Sequence, residues 1–247
     1  MLNISRTRFQ KDIVAEFAGP ARGSGKVIIL CDGLPTVPSK KSLMLFLAKK
    51  GYWVFHPRYR GTWESDGVFL QRSPEKDILD VINGIQKGKI VDVWNKKAYQ
   101  LKPKRIYIIG SSFGGTAALL ASKDDKVSRV VAFCPVVDWK KQGAADINSH
   151  YHLSRLAFGN AYRAPRKNWD KLKSGSFYNP VTQSHELDGR KIFIIHAKDD
   201  RVVSWRPVQK FSRLIGAPTF FVKKGGHFGL GAVTQPRFYR QIKKFLK

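Results

Sequence analysis

Three residue types, in one chain order, could together do acyl-transfer chemistry: a serine on a tight turn, then an aspartate, then a histidine. The serine lies in "RIYIIGSSFGGTAALL", residues 105–120, where an apolar β-branched run stops at a glycine and a small-residue helical pattern begins. Two serines are adjacent, but only Ser112 is framed as Gly110-Ser111-Ser112-Phe113-Gly114; Ser111 would need glycines where Ile109 and Phe113 stand. G-x-S-x-G between a strand and a helix puts a hydroxyl on a sharp, strained turn above the sheet end. The next N–H, that of Phe113, then faces a developing oxyanion at a helix N-terminus. The alternative is a glycine-rich turn with a capping serine.

A serine at its free pKa is a poor nucleophile, so it needs a base and a group to orient that base, expected in the order Ser, Asp or Glu, His. Downstream, "KIFIIH" runs into "AKDDRVVS", which carries Asp199 and Asp200, and "PTFFV" runs into "KKGGHFG", which carries His227. Both loops follow the C-terminal ends of predicted strands, the edge where Ser112 would sit. Among the six histidines only His227 follows those aspartates; His56, His150, His152, His185 and His196 read as strand-end packing or solvated loops. No spacing suggests a metal cluster, and neither a metal nor a cofactor is expected. A second oxyanion donor would come from the loop after an early strand, where "CDGLPTVPS" offers the Leu34 N–H after Gly33.

These residues need elements to hold them. Apolar runs at 26–31, 52–56, 105–110, 129–133, 191–196 and 218–222 read as buried strands. Helical periodicity is expected over 39–50, 74–86, 112–122, 205–215 and 235–245, and "RTRFQKDIVAEFAG" could add an antiparallel strand or hairpin at the sheet edge. Apolar strands alternating with helices predict an α/β fold with a mostly parallel sheet covered on both faces. Residues 137–190 break the rhythm: no strand pattern appears, while Trp139, Tyr151, Phe158, Tyr162, Trp169, Phe177 and Tyr178 stand among polar and basic residues. This stretch is expected to be a helical lid inserted into one domain spanning 1–247. Trp139, Tyr151 and Phe158 are its candidate substrate-pocket residues, and Asp138 reads as structural.

Composition sets the class. The chain of 247 residues is 43% hydrophobic and 12% aromatic, enough for a sizeable core. No apolar run approaches the ~20 residues of a membrane span, and the start shows no signal-peptide pattern. Cys31 and Cys134 each end an apolar run and read as buried free thiols. A soluble cytoplasmic protein is the expectation. Lys+Arg 45 against Asp+Glu 18 gives a net charge of +27. The cations are spread as singles and pairs, without a basic tail or the aromatic-basic alternation of RNA binders. The charge therefore reads as a compositional bias or a solvated surface, with no specific nucleic-acid partner expected.

Several stretches resemble the α/β-hydrolase superfamily, and within it the branch of prolyl-oligopeptidase-type serine peptidases, dienelactone-hydrolase-like proteins and related esterases. "GSSFGG" is similar to the nucleophile elbow, "YRGTWESDG" (59–67) to R-G-x-G-x-S-x-G, and "CPVVDW" (134–139) to the P-V-x-D-W that opens the insertion. "FYNPV" (177–181) resembles the segment that closes it, "HAKDDRVV" (196–203) the H-G-x-x-D-x-x-V stretch, and "GGHFG" the histidine loop. The likeness covers residues 26–247. It implies the α/β-hydrolase fold and a catalytic triad of Ser112, Asp200 (not Asp199) and His227, with Phe113 and Leu34 as backbone oxyanion donors. Three positions depart from the pattern: Asp32 stands where the oxyanion loop usually has histidine, and Trp63 and Ala197 replace glycines. A serine nucleophile tells against true dienelactone hydrolases, which use cysteine. No β-propeller precedes the catalytic unit, which tells against a long-peptide-screening peptidase.

The expected activity is hydrolysis of small carboxylic esters through an acyl-enzyme, without a cofactor. A small peptidase or amidase with the same triad is the nearest rival. A hydrolase fold kept only for binding, its basic surface docking nucleic acid or anionic lipid, is disfavoured because all three triad residues are present.

Overall fold

A computed structural model describes residues 3–247. The chain opens with an antiparallel hairpin, β1 (Ser5–Phe9) and β2 (Ile13–Ala18), followed by β3 (Lys26–Cys31), α1 (Lys41–Lys49), β4 (Trp53–Pro57) and α2 (Glu75–Gln86). A small hairpin, β5 (Lys89–Val91) with β6 (Ala98–Gln100), leads to β7 (Arg105–Ser111), α3 (Phe113–Ala121) and β8 (Val127–Phe133). Then come α4 (Trp139–Phe158), α5 (Arg166–Asp170), several 3-10 turns, β9 (Ile192–Ala197), α6 (Trp205–Leu214), β10 (Thr219–Val222) and α7 (Pro236–Phe245).

Eight strands form one sheet in the order β1-β2-β4-β3-β7-β8-β9-β10, antiparallel at β1/β2 and β2/β4 and parallel from β4 onward. Every expected strand and helix is present, and the N-terminal stretch forms the expected antiparallel edge. Successive residues of a strand face opposite sides. Accordingly Val27, Ile29 and Cys31 join one core layer, with α2, α3 and α6, while Ile28 and Leu30 join the other, with α1 and α7. Burial on both faces is why these strands read as continuous apolar runs.

The β5–β6 hairpin was not anticipated. Its strands are three residues long and half exposed, so they leave little apolar pattern; Asp92 shapes the turn by accepting from Trp94 N–H at 3.0 Å. Between residues 137 and 190 no strand occurs among the described residues, only an antiparallel bridge pairing Thr62 with Tyr162. This helical stretch packs Trp139, Ile147, Trp169, Leu172 and Tyr178 into the core layer of α3. Cys31 and Cys134 are buried free thiols.

The strand order fixes where a site can form. After β3 the chain steps to β4 on one side, and β7 later pairs with β3 on the other. The loops leaving β3 and β7 therefore part at the carboxyl edge, and a crevice opens at such a switch point. Among the described residues no helix is long and apolar enough to cross a membrane.

Candidate active site

Ser112 sits between β7 and α3 with φ 52° and ψ −121°, a backbone region sparsely occupied by non-glycine residues. The two framing glycines have a steric reason. A Cβ on Gly110 would lie 2.1 Å from Gly114 O, and one on Gly114 would lie 2.1 Å from Cys31 O. The turn is fixed further by Ser112 N–H donating to Phe133 O at 2.8 Å and Tyr178 O–H donating to Phe113 O at 2.6 Å. Ser111 ends β7 and is buried, whereas Ser112 is partly exposed. The glycine register thus leaves Ser112 facing the crevice.

Asp200 and His227 lie at the ends of β9 and β10, and His227 Nδ1 is 2.8 Å from Asp200 Oδ2. The Asp200 side chain is fully buried, and its Oδ1 accepts from Val202 N–H at 2.8 Å and Val203 N–H at 3.0 Å. Burial alone would raise this carboxyl's pKa, but the neighbouring His196 and His227 imidazoles and the Val203 N–H hold it well below the usual carboxylate range. The neighbouring Asp199 is exposed and accepts from Gly225 and Gly226 N–H, both at 2.9 Å, so it braces the histidine loop without touching the imidazole.

Two further residues, which the sequence alone reads as packing, wire this pair. His196 Nε2 donates to Val203 O at 2.9 Å and stands 3.4 Å from Asp200 Oδ2. Cys134 Sγ accepts from Phe228 N–H at 3.4 Å, linking the end of β8 to the residue after His227. Sulfur, nitrogen and oxygen atoms of Cys134, His196 and Asp200 come within 4.8 Å of one another. Yet Nε2 carries the proton it donates to Val203, burial pushes the Cys134 thiol far up, and Asp200 is engaged by His227. Those donors suit a hydrogen-bond network better than a metal.

Ser112 opens onto two clefts. One, of about 420 Å³ including its mouth, is walled mainly by Phe113, Val136, Trp139, Ile147, Trp169 and Val203, with Leu34 at its edge. The other, about 490 Å³, holds His227, Phe228 and the loop Asp32–Thr36 together with Ser112. Leu34 and Phe113 thus flank the serine, and among the described residues neither N–H has a hydrogen-bond acceptor. Of the three aromatic pocket candidates, Trp139 lines the apolar cleft. Tyr151 packs instead on Trp169 with Arg166 over its ring, and Phe158 packs on Trp63 and Tyr162.

The sequence profile described as the prolyl oligopeptidase family matches residues 38–247. Comparison with curated protein sequences finds no match. Among solved structures, an esterase of Pyrococcus furiosus is similar over 100% of this chain and 90% of its own, with 18% identity and a TM-score of 0.69. An acylaminoacyl peptidase of Pyrococcus horikoshii is similar over 99% of this chain but 40% of its own, with 17% identity and a TM-score of 0.63. An α/β-hydrolase enzyme from a lagoon-sediment metagenome (Mar Chica, Morocco) is similar over 97% of this chain and 96% of its own, at 17% identity and a TM-score of 0.63. With the profile covering most of its length, the chain belongs to the prolyl oligopeptidase family and is a serine hydrolase of the α/β-hydrolase fold.

Proposed function

We propose that the protein hydrolyses carboxylic esters of small substrates, with Ser112 as nucleophile, His227 as general base and acid, and Asp200 orienting the imidazole. The observation that carries this reading is the 2.8 Å His227–Asp200 contact, opening onto the same cleft as a serine held at positive φ on a helix start. Nδ1–H of His227 donates to Asp200, which leaves Nε2 to take the Ser112 proton as Oγ attacks the ester carbonyl. The tetrahedral oxyanion accepts from the free N–H groups of Phe113 and Leu34. The proton on Nε2 then passes to the departing alkoxide, and a water repeats the sequence on the acyl-enzyme. The leaving group occupies the cleft that holds His227, because the acid must reach it. The acyl group fits the apolar cleft beside Trp139, with the helical stretch 137–190 as its lid.

The similar Pyrococcus furiosus enzyme is an esterase, which favours esters. Family membership favours the second reading, a small peptidase or amidase using the same atoms. Comparing p-nitrophenyl esters with aminoacyl-anilides decides between them: ester turnover well above anilide turnover is expected, and the reverse would replace the first reading with the second. Ser112→Ala should remove nearly all turnover, leaving at most the ~10³–10⁴-fold over the uncatalysed reaction that binding and oxyanion donors give without a nucleophile. A fluorophosphonate should label folded wild type on Ser112 and leave the variant unlabelled; absence of labelling on folded wild type would sink both readings.

A further inference from the structure

The loop that presents the Leu34 N–H begins with a buried carboxylate. Asp32 is 8% exposed and follows the last residue of β3. Its Oδ2 is 2.8 Å from Lys40 Nζ and 3.2 Å from His56 Nε2. Nδ1 of the same ring lies 3.3 Å from Arg58 Nη1 and 3.9 Å from Glu16 Oε2, so the imidazole ties Asp32 to the β4 side of the sheet. Lys40 is the permanent cation in contact with Asp32. Burial alone would raise the Asp32 carboxyl, and these two partners bring it below its ordinary value.

Lys40 also closes the loop on itself, donating to Val37 O at 3.0 Å and Thr36 Oγ1 at 3.5 Å. The tip is held from the lid side, where Tyr162 O–H accepts from Thr36 N–H at 2.9 Å and donates to Thr36 O at 3.1 Å. The loop base has no slack against the elbow: a Cβ on Gly114 would lie 2.4 Å from Asp32 O, and one on Gly33 3.4 Å from Ser112 Cβ. A shift of Asp32 therefore moves the Leu34 N–H relative to Ser112. An unbalanced carboxylate here would also face the negative charge that develops in the cleft it shares with Ser112 and Leu34.

We propose that Lys40 is a positioning residue for the hydrolytic reaction: through its ion pair with Asp32 it fixes the loop carrying the second oxyanion donor and cancels a buried negative charge beside the oxyanion. This rests on the ester-hydrolase reading of Ser112. A pair that only held the fold would not separate kcat from KM, nor would removing the second partner restore rate.

The test measures kcat and KM on p-nitrophenyl butyrate for wild type, Lys40→Met, Asp32→Asn and Asp32→Asn/Lys40→Met, with Ser112→Ala as the baseline and a melting curve for each. Lys40→Met should lower kcat by about 10–100-fold, below the ~10²–10³ cost of losing a donor outright, with KM within about twofold. The double variant, no longer holding an unpaired charge, should recover at least about fivefold over Lys40→Met. Asp32→Asn, near-isosteric and still able to accept from His56, should keep kcat within about tenfold of wild type, and it reads the proposal if Lys40→Met does not fold. Wild-type kcat in Lys40→Met, a double variant no faster than Lys40→Met, or a loss beyond tenfold in Asp32→Asn would each overturn the proposal. Wild-type turnover no higher than Ser112→Ala would fail the ester-hydrolase reading itself and take the proposal with it.

Discussion

Asp200 and Asp199 are adjacent in the chain yet have different surroundings, and the difference is measurable. Asp200 is buried under two backbone donors and two imidazoles, while Asp199 is exposed and braces Gly225 and Gly226. Asp200→Asn keeps the shape but favours the wrong His227 tautomer, and kcat should fall by about 10⁴-fold; Asp199→Asn should stay within about tenfold. Steady-state ester kinetics on both variants check this. The same environment makes a stability prediction. The folded Asp200 carboxyl titrates below the ordinary ~3.9 of an unfolded aspartate. The unfolded chain therefore binds more protons just below that pH, so the stabilisation is full above about pH 5 and drains as pH falls through about 4 and lower. Denaturant titrations from pH 6 to pH 2 should show a flatter acid limb for Asp200→Asn than for wild type.

Among the elements, the tightest constraint is the contact between α3 and the end of β3. Helix α3 starts so close to Cys31 and Asp32 that position 114 has no room for a methyl group. Gly114→Ala should cost about 3 kcal/mol through overpacking, lowering Tm by roughly 6–12 °C for a chain of this size. Because the same contact sets the spacing of Ser112 and Leu34, kcat should fall in the fraction that remains folded. Calorimetry with active-site titration separates the two effects. The sequence revealed Gly114 through its register around Ser112, but not the carbonyl it makes room for. That carbonyl belongs to Cys31, 83 residues earlier, brought alongside by the β3–β7 pairing.

Across the whole molecule the acids, not the cations, are unevenly placed. Arg60 gathers Asp12, Asp77 and Asp80 near the β1–β2 edge, and Arg58 pairs with Glu16 and Glu64. Residues 201–247, which supply α6, β10 and α7, contain no Asp or Glu. On α7, Arg237, Arg240, Lys243 and Lys244 are exposed, and among the described residues none has an acidic partner. Like-charge repulsion across this region opposes folding and is screened over about 10 Å at 0.1 M salt. Raising NaCl from about 50 to 500 mM should therefore increase Tm, whereas a protein stabilised mainly by surface ion pairs would lose stability.

Local pattern was enough to place six parallel-sheet strands, five helices, the edge hairpin and the G-x-S-x-G turn. Burial on both faces and steric demands on a turn are written in neighbouring residues, and chain order then nominated His227 and, through resemblance to a family, Asp200. The short β5–β6 hairpin escaped because three half-exposed residues carry no period. Tertiary structure alone decided that His196 and Cys134 wire the Asp200–His227 pair, that Trp139 lines the cleft while Tyr151 packs on Trp169 and Phe158 on Trp63 and Tyr162, and that Lys40 and His56 close on Asp32. Each is a contact between segments that meet only once the sheet has assembled, and what selects it is the desolvation of a polar group needing a partner, which no spacing in the chain encodes.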